Sequence, residues 1–101
     1  MKRVAVTGMG LVAPCGSDPE EFFASLVAGR SGIGVLREMS ARLSTRIAAA
    51  ASFDAAAHFP APRLRMLDRV SQLALVAAEQ ALRDAAIELT DEERGTTGLF
   101  L

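Results

Sequence analysis

The chain has 101 residues, 50% of them hydrophobic, with 12 acidic and 11 basic residues and a formal net charge of −1. That balance describes one small globular domain or part of a larger one. It argues against a disordered tail and against bulk electrostatic attraction to nucleic acid or an anionic membrane. A single cysteine, Cys15, and a single histidine, His58, leave no internal disulfide, no thiolate metal cluster and no site built from one cysteine and two histidines.

No stretch reaches the roughly 18 uninterrupted apolar residues of a spanning helix. Met1, Lys2 and Arg3 lead into a strand pattern rather than a signal-peptide core, so a cytoplasmic protein is expected, with no membrane partner. The run "RVAVT" (3–7) reads as a short strand, apolar enough to be buried on both faces. "TGMGLVAPCG" (Thr7–Gly16) then places Gly8, Gly10 and Ala13 in a G-x-G-x-x-A arrangement, one form of the dinucleotide-binding fingerprint.

The context goes against that fingerprint. A dinucleotide loop turns straight into a helix, with an acid about 20 residues on at the end of a second strand. Here Pro14 and Gly16 interrupt the first turns, and the nearest acid, Glu38, has no strand signal before it. The competing reading is that Gly8 and Gly10 allow positive φ or close backbone approach as the chain leaves a buried strand. A dinucleotide-binding module stays as the lesser alternative, and no cofactor or metal site is assigned.

Asp18, Pro19 and Glu21 combine an N-cap, a first-turn proline and a capping-box acid, which predicts a helix from about Pro19 to Ala28 with Gly29 as its left-handed stop. Phe22, Phe23, Leu26 and Val27 share one side of it. "SGIG" (31–34) reads as loop, and "STRIAAAASFD" (44–54) is ambiguous although its alanines favour helix. Met66, Val70, Leu73, Ala74, Ala77, Ala81 and Ala85 recur at helical spacing, predicting a long helix from about Arg63 to Ala86. Its small residues let another backbone come close. Thr90 and Glu93 form a second capping-box pattern, and "TTGLFL" (96–101) reads as a strand. Two strands with a helical crossover make a βαβ-like unit, which is not a stable sheet alone.

Taken together, "MKRVAVTGMGLVAPCG", "AGRSGI", "RMLDRVSQLALVAAEQALRDAAIEL" and "RGTTGLFL" resemble, in order and spacing, the amino-terminal part of β-ketoacyl-[acyl carrier protein] synthases, the condensing enzymes of fatty-acid and polyketide synthesis. The resemblance implies an α/β class: a partial thiolase-like fold, the beginning of its first half, with an incomplete mixed sheet and an alanine-rich core helix. Residues 1–101 would then be a truncated ketosynthase domain. It also implies that "STRIAAAAS" is extended, against its helical propensity.

The family's activity is acyl transfer: a cysteine takes the acyl group, and two histidines, or a histidine and an asparagine, assist decarboxylation of malonyl-carrier protein. Those residues lie beyond position 101 in family members, so no catalytic residue is carried over and the chain alone is expected to be inactive. Cys15 occupies "APCG", where relatives have a small or apolar residue, and is read as structural; His58 in "AAHFPAP" is read as a loop residue. The alternative, a Cys15–His58 dyad, requires the two side chains within hydrogen-bond reach.

Arg63, Arg65 and Arg69 crowd the expected start of the long helix, where the macrodipole disfavours positive charge. A pairing of Asp68 with Arg65 at i,i+3 would offset part of that cost. The resemblance adds a role: basic residues at the start of this helix dock the acidic acyl carrier protein. Arg65 falls on such a position, whereas Pro62 and Met66 stand where relatives can carry lysine. Expected partners are therefore acyl carrier protein and a second ketosynthase subunit in a homodimer or heterodimer. A noncatalytic ketosynthase-like chain-length subunit is the non-enzymatic alternative. As an isolated chain, marginal stability is expected from uncovered apolar helix surface and unpaired strand edges.

Overall fold

A computed structural model describes residues 1–36 and 44–98. The elements are α1 (Pro19–Val27), β1 (Ile33–Val35), β2 (Ile47–Ala49), a 3₁₀ turn (Ala55–Ala57), α2 (Ala61–Leu64), α3 (Arg69–Asp84) and α4 (Asp91–Thr96). This is a mixed α/β chain with one small antiparallel sheet, in which Ile33 pairs with Ala49, Gly34 with Ala48 and Val35 with Ile47.

The helix ends follow their local chemistry. Asp18 caps α1 by accepting from the Glu21 N–H at 2.8 Å, while the Glu21 carboxylate accepts from the Ser17 N–H at 2.7 Å, one residue before the cap. Gly29, at φ +65°, ends α1 in a Schellman pattern: its N–H donates to Leu26 O and the Arg30 N–H to Ser25 O. α3 ends in the same pattern, but with Ala86 in the left-handed position, at φ 52°. Thr90 and Glu93 close a full capping box on α4, which runs for 6 residues.

Several expectations change. Residues 3–7 form no strand, because no neighbouring strand lies beside them among the described residues; Val4 and Val6 are 93% and 85% exposed. Part of "SGIG" is strand β1, since Ile33 and Gly34 find a partner in β2. That partner lies in the alanine tract, extended at Ile47–Ala49 as the family resemblance implied and against its propensity. The strand expected over 96–101 is helical at Thr96, and residues 99–101 lie outside the described part, as does Glu38. The observed sheet is thus antiparallel and built from segments other than those of the expected βαβ unit.

The long helix starts at Arg69 rather than Arg63. Pro60 and Pro62 set up the short α2, and Asp68 then leaves helical geometry (ψ 169°) to accept the Ser71 N–H at 2.7 Å as the N-cap of α3. An aspartate in that role cannot also serve as the i,i+3 partner of Arg65 on a continuous helix.

Burial is sparse. Phe59 and Val76 are the buried hydrophobic residues among those described, while Phe23, Leu26, Val27, Met66, Val70 and Leu75 are exposed. The Cα radius of gyration is 16.9 Å, against about 13 Å for a compact domain of this length. No described helix is long and apolar enough to cross a membrane.

Candidate functional site

The glycines of the opening segment press against α3. A Cβ on Gly8 would run into the Ala81 carbonyl oxygen and lie 2.8 Å from Ala85 Cβ; one on Gly10 would meet the Ala77 carbonyl oxygen and lie 2.7 Å from Ala81 N. Neither glycine has positive φ, so of the two reasons expected from the sequence, close approach is the one that applies. The alanine stripe of α3 and the two glycines are the two sides of one contact.

Polar side chains of α3 complete it. The Met9 N–H donates to Asp84 Oδ2 at 2.9 Å, the Leu11 N–H to Gln80 Oε1 at 3.0 Å, and Gln80 Nε2 donates in turn to Ser17 O at 2.7 Å. The segment thus finds on a helix the partners that an extended chain usually finds on a neighbouring strand. Gln80 and Asp84 lie four residues apart, so both project from the helix face that carries Ala77 and Ala81. That spacing was the available sequence signal for their role.

This packing removes the dinucleotide reading. In a phosphate loop the glycines approach the ligand; here α3 fills that space, and the N-terminus of α1 is already capped by Asp18.

After Val12 the chain turns tightly, with Ala13 and Gly16 exchanging backbone hydrogen bonds at 2.8 and 3.2 Å. Gly16 is buried against the first turn of α1, where a Cβ would collide with the Phe22 N–H and lie 2.7 Å from Phe22 Cα. Cys15, at the tip of the turn, is half-buried beside Gly32, whose added Cβ would stand 2.9 Å from Cys15 Sγ. Its thiol faces Arg30 O at 3.8 Å. Around it, Arg30 donates to the buried Ser25 hydroxyl at 2.8 Å. His58 lines a separate hollow with Val76, Glu79 and Arg83, and its ring stacks on Phe53. Cys15 and His58 are not brought together as a dyad.

The arginine patch divides. Arg63 on α2 lies over the Phe59 ring, with Cζ 5.5 Å from the centroid, and Arg69 at the start of α3 lies 4.9 Å over Phe53. Arg69 also donates to Phe53 O at 3.1 Å and Ala51 O at 3.5 Å, so its charge at the start of α3 is met by two carbonyl oxygens. Arg65, exposed at the C-cap of α2, donates its backbone N–H to Arg63 O, while its guanidinium makes no hydrogen bond or ion pair among the described residues. The aromatic partners Phe53 and Phe59 were missed in the sequence because a cation–π contact leaves no fixed spacing there.

Three sequence blocks therefore meet in space: the glycine segment, the Gly32 loop and the alanine helix. The family profile described as "Beta-ketoacyl synthase, N-terminal domain" matches residues 1–101. The chain belongs to the β-ketoacyl synthase family. It is 47% identical to the tetracenomycin polyketide synthase ketoacyl synthase beta subunit of Streptomyces glaucescens, over 96% of this chain and 24% of that protein. It is 39% identical to a putative polyketide beta-ketoacyl synthase 1 of Streptomyces halstedii, over 99% of this chain and 24% of the relative. Against 3-oxoacyl-[acyl-carrier-protein] synthase 2 of Vibrio harveyi the identity is 34%, over 99% of this chain and 25% of the relative. The chain spans about a quarter of the length of these family members.

Proposed function

We propose that residues 1–101 are the amino-terminal part of a β-ketoacyl-[acyl carrier protein] synthase domain of thiolase-like fold. The complete protein condenses an acyl thioester with malonyl-carrier protein, with loss of carbon dioxide, in polyketide or fatty-acid synthesis. The observation that carries this reading is the family match along the whole of residues 1–101. The exposed apolar sides of α1 and α3 support it, since a segment of a layered domain leaves such surface for layers built elsewhere. A homodimer or a heterodimer of ketosynthase subunits follows from the same reading.

Within this function the basic group Arg63, Arg65 and Arg69 receives the acidic carrier protein. Arg65 makes the direct ion pairs, whereas the two stacked arginines add to the attractive field. In the full-length protein, Arg65→Glu is expected to weaken carrier binding on the order of tenfold at low salt and to flatten its salt dependence, because exposed charges act through a screened field. Titration calorimetry at two ionic strengths checks this; unchanged affinity at low salt rejects the docking role.

A second reading is favoured by one observation, the 47% identity to a beta subunit set beside 34% to a 3-oxoacyl synthase. On it, the segment belongs to a noncatalytic partner subunit that helps set chain length. Sequencing the reading frame past codon 101 separates the two: a cysteine motif followed by two histidines supports the condensing enzyme, and a replaced cysteine supports the partner subunit.

A further inference from the structure

The arginine patch is joined underneath by aromatic rings. Arg63 lies 5.5 Å over Phe59; Phe59 meets His58 at 6.4 Å with the rings tilted by 54°; His58 stacks on Phe53 at 5.3 Å with only 7° between planes; and Arg69 lies 4.9 Å over Phe53. Phe59 is 8% exposed and anchors the row, while His58 is an exposed link between the two phenyl rings. This ladder holds the chain on both sides of the Arg65–Asp68 connection. Before it, Arg63 is fixed on Phe59, and the Met66 N–H donates to Arg63 O at 3.1 Å; after it, Arg69 is tied to Phe53 and to two carbonyls.

A long cationic side chain on a loose connection loses entropy when it is captured by a partner. One mounted on a connection fixed at both ends loses less. We infer that Phe53, His58 and Phe59 are positioning residues that pin this connection and present the Arg65 guanidinium to the acidic carrier protein. His58 is the member whose side chain serves the row by stacking alone, so any flat aromatic ring of similar size serves the same purpose. The inference rests on the carrier-docking role of Arg65, and its test separates the two.

Carrier-protein affinity of the full-length protein is measured at low salt for Arg65→Glu, His58→Ala, His58→Phe and the double variant His58→Ala/Arg65→Glu, with hydrogen exchange recorded over residues 65–68. His58→Ala is expected to weaken binding about two- to tenfold, the scale of one aromatic stacking contact, and to speed exchange in the 65–68 connection while leaving the middle of α3 protected. His58→Phe restores both. The double variant binds no more weakly than Arg65→Glu alone, because the ladder acts through Arg65. A His58→Ala effect that adds fully to Arg65→Glu, no effect on affinity, or unchanged exchange overturns the ladder while leaving the docking role intact. If Arg65→Glu itself leaves affinity unchanged, the docking role falls first and the ladder's part in it falls with it.

Discussion

The Gly8–Val12 segment and the β1–β2 pair both lie outside the helices and need backbone partners, yet they are held in different ways. The strands satisfy each other's backbone, and Ile33, Val35 and Ile47 remain 61–69% exposed. The glycine segment borrows its partners from α3, through Gln80, Asp84 and a contact so close that a methyl group cannot be added. Identical residue types therefore carry different weight in the two places: a glycine in the strand pair is a small residue in open space, whereas a glycine packed against α3 is a steric requirement.

The sharpest way to break this contrast is Gly10→Ala. Overlap with the Ala77 carbonyl forces the segment off the helix, with an expected loss of about 2–3 kcal/mol in denaturant unfolding of the full-length protein. An alanine tolerated there without loss would show that the contact is slack. Next comes Gln80→Ala, which strips partners from the Leu11 N–H and the Ser17 carbonyl together and is expected to cost about 1–2 kcal/mol by the same measurement. Gly34→Ala is the control on the other side of the comparison. Nothing lies within 4 Å of its added Cβ, so its effect should stay within about 0.5 kcal/mol.

The smallest effect is a pH slope at the start of α3. The Asp68 carboxyl is held below the ordinary carboxylate range, chiefly by the Ser71 hydroxyl and then by the Ser71 N–H. A carboxyl whose folded pKa is depressed contributes stability that is complete above its unfolded value and is lost as pH falls through the folded one. Thermal midpoints should therefore decline from about pH 4 downward, and Asp68→Asn, which keeps an acceptor without the charge, should decline less steeply. Equal slopes would remove the carboxylate from the account.

Much of this was legible beforehand wherever the determinants are local. Asp18, Gly29, Thr90 and Glu93 act within one helical turn, and the structure places their caps and stop as the residue order predicts. The alanine stripe announced a close neighbour without saying which. Where the outcome depends on a distant partner, local reading went astray. "RVAVT" has strand character but no strand beside it among the described residues, and the helix expected from Arg63 breaks because Asp68 takes the capping role. The patch followed the same rule. Its three arginines were visible in the sequence, but only the folded chain sorts these exposed residues into two stacked on rings and one, Arg65, whose side chain has no partner among the described residues.

By itself, the sequence determined the helix caps, the small-residue face of α3, the position of every charge and, through the order of its motif blocks, the family. Those are properties of neighbours along the chain or of side-chain size and charge. Only the tertiary structure decided that Gly8 and Gly10 serve α3 rather than a phosphate, that Cys15 and His58 belong to separate surroundings, and that aromatic rings underlie the arginine patch. Each of these depends on which distant groups come within a few ångströms, and residue order does not encode such distances directly.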